Sequence, residues 1–142
     1  MGKTVLVAID GSPQSEEALD HAITEFPDAE LVGLTVIDPA EAGYAVEGAV
    51  AEFPQGWYDT AEDEAQTVLD EAVDRAAGAG VELRTATEIG RPANTIVRFS
   101  DEHDIDHIVM GSHGRTGMSR ILLGSVAETV MRRSTVPVTV VR

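Results

Sequence analysis

The stretch His107-Ile-Val-Met-Gly111-Ser-His-Gly114-Arg-Thr-Gly-Met-Ser-Arg-Ile-Leu-Leu-Gly124-Ser125-Val-Ala-Glu128 decides how this chain is read. Ile108, Val109 and Met110 form an apolar run of the kind found in strands covered on both faces. Glycines then punctuate a loop, and Ser125-x-x-Glu128 has the spacing of a helix capping box. A strand, a glycine-rich loop and a helix start in that order aim unpaired backbone N–H groups, and the positive end of a helix dipole, at one point. Glycines there let an anion approach the main chain, so phosphate is the expected guest.

Working outward, the same alternation runs through the whole chain. Lys3 to Ile9 is a nearly continuous apolar run, and Ser12-Pro13 supplies an N-cap with proline at the first helical position. Ala18, Leu19, Ala22, Ile23 and Phe26 keep helical spacing until Pro27-Asp28. Leu31 to Ile37 is a second buried strand. Residues 38–57, with Pro39, Gly43, Gly48, Pro54 and Gly56, show no period and read as a long loop or lid, either functional or disordered. From Asp59 the pattern Ala61, Ala65, Val68, Leu69, Ala72, Val73 and Ala76 describes a long amphipathic helix with an acidic outer face, ending at Gly78 and Gly80. Val81, Leu83, Thr85 and Thr87 alternate with polar residues, which predicts a half-exposed strand near a sheet edge. Pro92 opens a helix facing inward through Ala93, Ile96 and Val97. After the glycine loop come a helix to about Arg132 and a last strand, Val136 to Val141.

Five such alternations argue an α/β fold, an open parallel sheet with helices on both faces and right-handed crossovers. Ligands of these sheets lie beyond the carboxyl ends of the strands, where strand order reverses. Those ends are Asp10, Val36 to Asp38, and Met110 to Gly114. Pro137 cannot donate to a ladder, which places the last strand at an edge and predicts a homodimer through Val136–Val141.

Composition narrows the function classes. The chain has 142 residues, 43% of them hydrophobic, enough for one domain over residues 1–142 with a single core. Cysteine is absent, which excludes disulfides and thiolate chemistry. The N-terminus lacks the apolar core of a signal peptide, and no run approaches a membrane span, so a soluble cytoplasmic protein with no membrane partner is expected. The net charge of -15 argues against nucleic acid as a partner. Lys3 is the sole lysine beside nine arginines, a balance expected of a halophilic protein adapted to multimolar salt. Residues 1–106 hold 24 acidic and five basic side chains, whereas residues 107–142 hold one acid, Glu128, and five arginines. The electropositive segment is therefore the one with the cradle.

The loop does not fit G-x-x-x-x-G-K-[ST], nor G-x-G-x-x-G after a first strand, which removes P-loop motors and dinucleotide dehydrogenases. Its spacing G-x2-G-x9-G-[ST], met by Gly111, Gly114, Gly124 and Ser125, resembles the nucleotide-binding signature of the universal stress protein family (UspA type), in its ATP-binding subgroup. The opening Val-Leu-Val-Ala-Ile-Asp10-Gly-Ser, the strand ending Val36-Ile37-Asp38 and the final Val-Pro-Val-Thr-Val-Val extend the resemblance over essentially the whole chain.

The resemblance implies a Rossmann-like five-stranded sheet in the order 3-2-1-4-5, dimers paired through the last strand, and ATP as ligand. It places Ala8 and Val36 beside adenine and Asp10 near adenine or ribose, with Met110 just before the loop. Gly111, Gly114, Gly124, Ser125 and Val126 fall around ribose and phosphates. Ala8 stands where some relatives carry proline, a change of shape without loss of a hydrogen-bonding group. Ser125 has two compatible roles, helix cap and phosphate ligand. His113 and Arg115 either reach a γ-phosphate or face solvent. Asp10 would repel a triphosphate unless a cation intervenes, so Mg²⁺ or Mn²⁺ bound mainly through phosphate oxygens is a possible companion. His103 and His107 are separated by a helix-to-strand break and read as non-ligands. The expected role is a nucleotide-dependent regulatory or stress-response module. A slow ATPase and a dimeric interaction protein without nucleotide are the alternatives.

Overall fold

Five strands, β1 (Thr4–Ala8), β2 (Glu30–Ile37), β3 (Leu83–Ile89), β4 (His107–Gly111) and β5 (Val138–Val141), pair in parallel in the order β3-β2-β1-β4-β5. The computed structural model describes residues 2–43, 54–113 and 123–142. The α/β fold and strand order are those expected. Helices α1 (Pro13–Glu25) and α2 (Gln55–Gly78) pack on one face, and α3 (Pro92–Glu102) and α4 (Ser125–Arg133) on the other. Alternation along the central strand feeds both cores. Val5, Val7 and Ile9 join Leu19, Ala22 and Ala76 on the α1/α2 side, while Leu6 joins Ile96, Phe99 and Val130 on the α3/α4 side. Val5, Leu6 and Val7 are each 0% exposed, as a strand flanked by two others and covered on both faces requires.

Local chemistry sets most boundaries. The Ser12 hydroxyl accepts from the Ser15 amide at 3.1 Å and Pro13 opens α1, the predicted cap. Arg75 on α2 forks onto the Asp20 carboxylate of α1 with two bonds of 2.7 Å and lies 3.5 Å from Glu16. That guanidinium holds the Asp20 carboxyl below the usual range. β3 is an edge strand, as its alternation implied, with Arg84 paired to Glu30 on β2 at 3.1 Å.

Two boundaries depart from the sequence reading. α2 begins at Gln55, four residues before the expected Asp59. Pro54 at the N-cap and Gly56 in the first turn look like breakers, yet first-turn amides have no intrahelical acceptor, so both residues are tolerated there. The expected loop 38–57 therefore gives way to helix from Gln55 onward. Asp38 Oδ1 accepts from the Ala40 amide at 2.9 Å and starts a single 3₁₀ turn, Pro39–Ala42, which Gly43 ends at φ +86°. Residues 44–53 lie outside the described residues. β5 begins at Val138 instead of Val136, because a turn closed by Ser134 Oγ and the Val136 amide precedes it. The Pro137 carbonyl still accepts from the Ile108 amide at 3.0 Å, and β5 is an edge strand.

Two packing contacts generate tests. A Cβ on Gly111 would lie 2.7 Å from Gln14 Cβ and 3.0 Å from its carbonyl, so glycine is what lets the end of β4 meet the first turn of α1. Gly111→Ala should destabilise the fold by roughly 1–3 kcal/mol in urea unfolding, since backbone must shift. An unchanged midpoint would refute that contact.

His107 Nε2 hydrogen-bonds with Thr139 Oγ1 at 2.7 Å across β4 and β5, with its ring 4.8 Å from that of Phe26. Burial, followed by the nearby Lys3 and His21, pushes the imidazole below the usual histidine range. The unfolded chain therefore takes up that proton more readily. Stability is full above the ordinary value of about 6.5 and falls as pH drops through it, until the folded imidazole also protonates. The drop in urea midpoint between about pH 7.5 and about pH 5.5 should be smaller in His107→Gln than in the parent. An equal drop in both would assign the dependence to other groups.

Candidate functional site

Strand order reverses between β1 and β4, and the carboxyl ends of β1, β2 and β4 meet there. At the end of β1, Asp10 Oδ1 accepts from the Ser12 amide at 2.9 Å and from the Ser12 hydroxyl at 2.5 Å. The Asp10 amide donates to Ser15 Oγ at 3.4 Å. These bonds fold the chain sharply from β1 into α1 and fix the carboxylate at the rim. Beside it, buried Thr35 donates from Oγ1 to the Ile9 carbonyl at 2.8 Å, tying the exits of β1 and β2 together.

Asp10 and Val36 share a cleft of about 220 Å³, open to solvent, with Asp38, Glu41, Trp57 and Glu64 also on its walls. Its charged side chains are all acidic. Trp57 is a site residue that the sequence reading missed. The only signal was its being the sole tryptophan, and the Pro54–Gly56 punctuation pointed to a lid; the first turn of α2 instead sets the indole against the sheet end.

Four of the predicted residues converge on the other side of the sheet end. Met110 is buried in the α3/α4 core, and half-buried Ala8, Val36 and Val126 pack against that same cluster. Together they make an apolar rim reaching from β1 and β2 across β4 to α4. Gly111 follows Met110 at the end of β4. Gly114 and Arg115 lie outside the described residues.

The helix start at the rim differs from the capping box that Ser125-x-x-Glu128 suggested. Gly124 occupies the N-cap position, with φ −69° and ψ 159°, and makes no side-chain cap; Ser125 is the first helical residue and is exposed. Glu128 does not reach back, because its carboxylate pairs with Arg132 one turn on. The reason is steric. The Gly124 amide donates to the Ser112 carbonyl at 2.6 Å, and a Cβ at 124 would sit 2.7 Å from that oxygen. A serine there to cap the helix could not approach so closely. The result is a helix N-terminus, brought against the end of β4, whose first-turn amides have no side-chain cap among the described residues. With the helix dipole behind them they favour an anion.

The histidines fall in separate environments. His103 stacks on Phe99 at 3.8 Å, with Nδ1 3.0 Å from the Phe99 carbonyl, and His107 lies between β4 and β5. His113 is at the rim, with Nδ1 3.1 Å from Ser112 Oγ. Among the described residues no three His, Asp or Glu side chains converge as metal ligands.

The profile of the universal stress protein family matches residues 1–142. Universal stress protein MJ0531 of Methanocaldococcus jannaschii is 40% identical over 144 aligned residues, which cover 99% of this chain and 82% of that one. Universal stress protein YxiE of Bacillus subtilis is 34% identical, and the alignment covers 100% of both. Among solved structures, hypothetical protein MJ0577 superimposes with a TM-score of 0.83 at 31% identity, covering 99% of this chain and 96% of that one. A universal stress protein in complex with cAMP gives a TM-score of 0.73 at 30% identity, covering 99% and 97%. The shared sheet order, the glycine spacing and the full-length match agree: this chain belongs to the universal stress protein family.

Proposed function

We propose that the chain is an ATP-binding universal stress protein, a module whose surface responds to nucleotide occupancy in regulation or stress response. The observation that carries this reading is the uncapped N-terminus of α4 standing across the sheet end from the apolar rim of Ala8, Val36, Met110 and Val126. Adenine is assigned to Ala8 and Val36, and Asp10 to adenine or ribose. Gly111, Gly124, Ser125 and Val126 are assigned to ribose and phosphates, with Gly114 and Arg115 as further members of the loop. A relative 30% identical to this chain was solved with cAMP, which supports an adenine nucleotide as the ligand class.

Charge sets the orientation. The cleft beyond Asp10 carries Asp38, Glu41 and Glu64 and repels anions, so the polyphosphate is directed away from it and toward α4. The residues fit such a group: Gly124 leaves a cradle that a Cβ would fill, and the helix amides supply donors. They fit a bare metal ion poorly. Mg²⁺ or Mn²⁺ in this reading rides on phosphate oxygens and relieves their repulsion from Asp10. The protein works as a cytoplasmic homodimer of single-domain chains, paired through half-exposed β5, and the lysine-poor acidic composition suits it to high salt.

Trp57 provides the readout. ATP titrated into the intact protein should change the tryptophan fluorescence saturably, with a dissociation constant in the micromolar range, about 8 kcal/mol. Calorimetry showing no heat of binding at millimolar ATP would overturn the reading. EDTA should weaken ATP binding, whereas equal affinity with and without it would remove the metal. Because charge screening at about 1 M salt leaves a Debye length of about 3 Å, direct hydrogen bonds must dominate, and affinity should depend weakly on KCl. A steep loss with salt would point to long-range attraction by the arginines.

A further inference from the structure

The cleft beyond Asp10 lies on the α1/α2 face of the sheet, behind the apolar rim to which adenine is assigned. Thr35 and Ile37 line it from β2, and strand alternation turns them to the side opposite Val36, whose side chain packs in the α3/α4 cluster. Helix α2 supplies the facing wall with one stripe at helical spacing: Trp57, Ala61, Glu64, Ala65 and Val68. Ala8, Met110 and Gly124 are not on its walls. It is therefore a second cavity, which meets the nucleotide crevice at Asp10 and the Val36 main chain.

Its lining selects the kind of ligand. Every charged group on it is a carboxylate, and no basic side chain among the described residues shares the walls, so the guest is a cation. A metal ion does not fit. Asp38 Oδ1 already accepts from the Ala40 amide at 2.9 Å, and Asp10 Oδ1 from the Ser12 amide and hydroxyl. Among the described residues no three acidic or histidine side chains converge, whereas a hard divalent ion asks for about six oxygen ligands. Between the carboxylates the surface is apolar, made by Ile37, Ala61, Ala65, Val68 and the half-buried indole of Trp57. A strongly hydrated ion loses its water against such a wall without replacement. A cation with its charge spread over methyl groups gains there, because apolar contact removes its methyls from water and an indole face attracts it. Ala61 and Ala65 are small enough to leave the space for it, about 220 Å³.

We infer that this cleft binds a small methylated ammonium ion, seated against the Trp57 indole and the α2 wall with Asp10, Asp38, Glu41 and Glu64 around it. The site is separate from the nucleotide reading and stands without it.

The test uses choline as probe, titrated into the nucleotide-free protein at fixed ionic strength. Choline should change the fluorescence of Trp57, the sole tryptophan, saturably. Its neutral isostere, in which a quaternary carbon replaces the nitrogen, should bind about tenfold more weakly or worse, and phosphocholine should also bind more weakly, because its anion meets the carboxylates. By calorimetry, Trp57→Leu should weaken choline about tenfold and Trp57→Phe less, since phenylalanine keeps a weaker aromatic face. Glu64→Gln, at an exposed position on α2, should weaken choline too, while Glu17→Gln on α1 leaves it unchanged. Circular dichroism checks each fold, and the comparison of the three ligands on the parent protein keeps the inference refutable if a variant fails to fold. A neutral isostere that binds as tightly as choline, Mg²⁺ that displaces choline at equal concentration, or the absence of any saturable signal would each overturn it. ATP affinity, measured separately on the same protein, decides the nucleotide reading independently of these outcomes.

Discussion

Everything in this molecule is organised by the double burial of β1. Paired in parallel with β2 on one side and β4 on the other, it directs Val5, Val7 and Ile9 into one core and Leu6 into the other. A parallel strand in that position has no solvent-facing side, so its buried residues Val5, Leu6 and Val7 are all apolar and the chain must leave and return by helical crossovers. The two crossovers that leave the sheet centre, through α1 after β1 and through α4 after β4, lie on opposite faces. Their divergence opens the crevice at the carboxyl end, and the functional residues line it for that reason.

The glycines of the signature acquire a structural explanation that is independent of any ligand. Gly111 lets β4 abut Gln14 of α1, and Gly124 lets the start of α4 abut the Ser112 carbonyl. Neither contact survives a side chain at those positions without movement of backbone. Substituting Gly124 with valine thus perturbs the fold as well as any ligand. What the close approaches produce is the functional point: the first-turn amides of α4, His113 and the apolar rim are brought to one edge of the sheet.

The site is also polarised. Four carboxylates, Asp10, Asp38, Glu41 and Glu64, line the cleft that Trp57 shares, and on the α4 side stand main-chain donors and an imidazole. A ligand with one neutral end and one anionic end meets a matching gradient.

Periodicity and spacing alone determined the fold class, all five strands, the edge positions of β3 and β5, and the end of the sheet where Asp10, Val36 and Met110 lie. These are local properties: a strand buried on two faces must be apolar throughout, and a helix buried on one must repeat every three to four residues. Tertiary structure alone decided that α2 starts at Gln55 and brings Trp57 to the cleft, since a first helical turn tolerates the proline and glycine that otherwise signal a break. It decided too that Gly124, and not Ser125, caps α4, and that His113 stands beside it. Both follow from how closely two backbone segments distant along the chain come together, and spacing in one dimension carries no such distance.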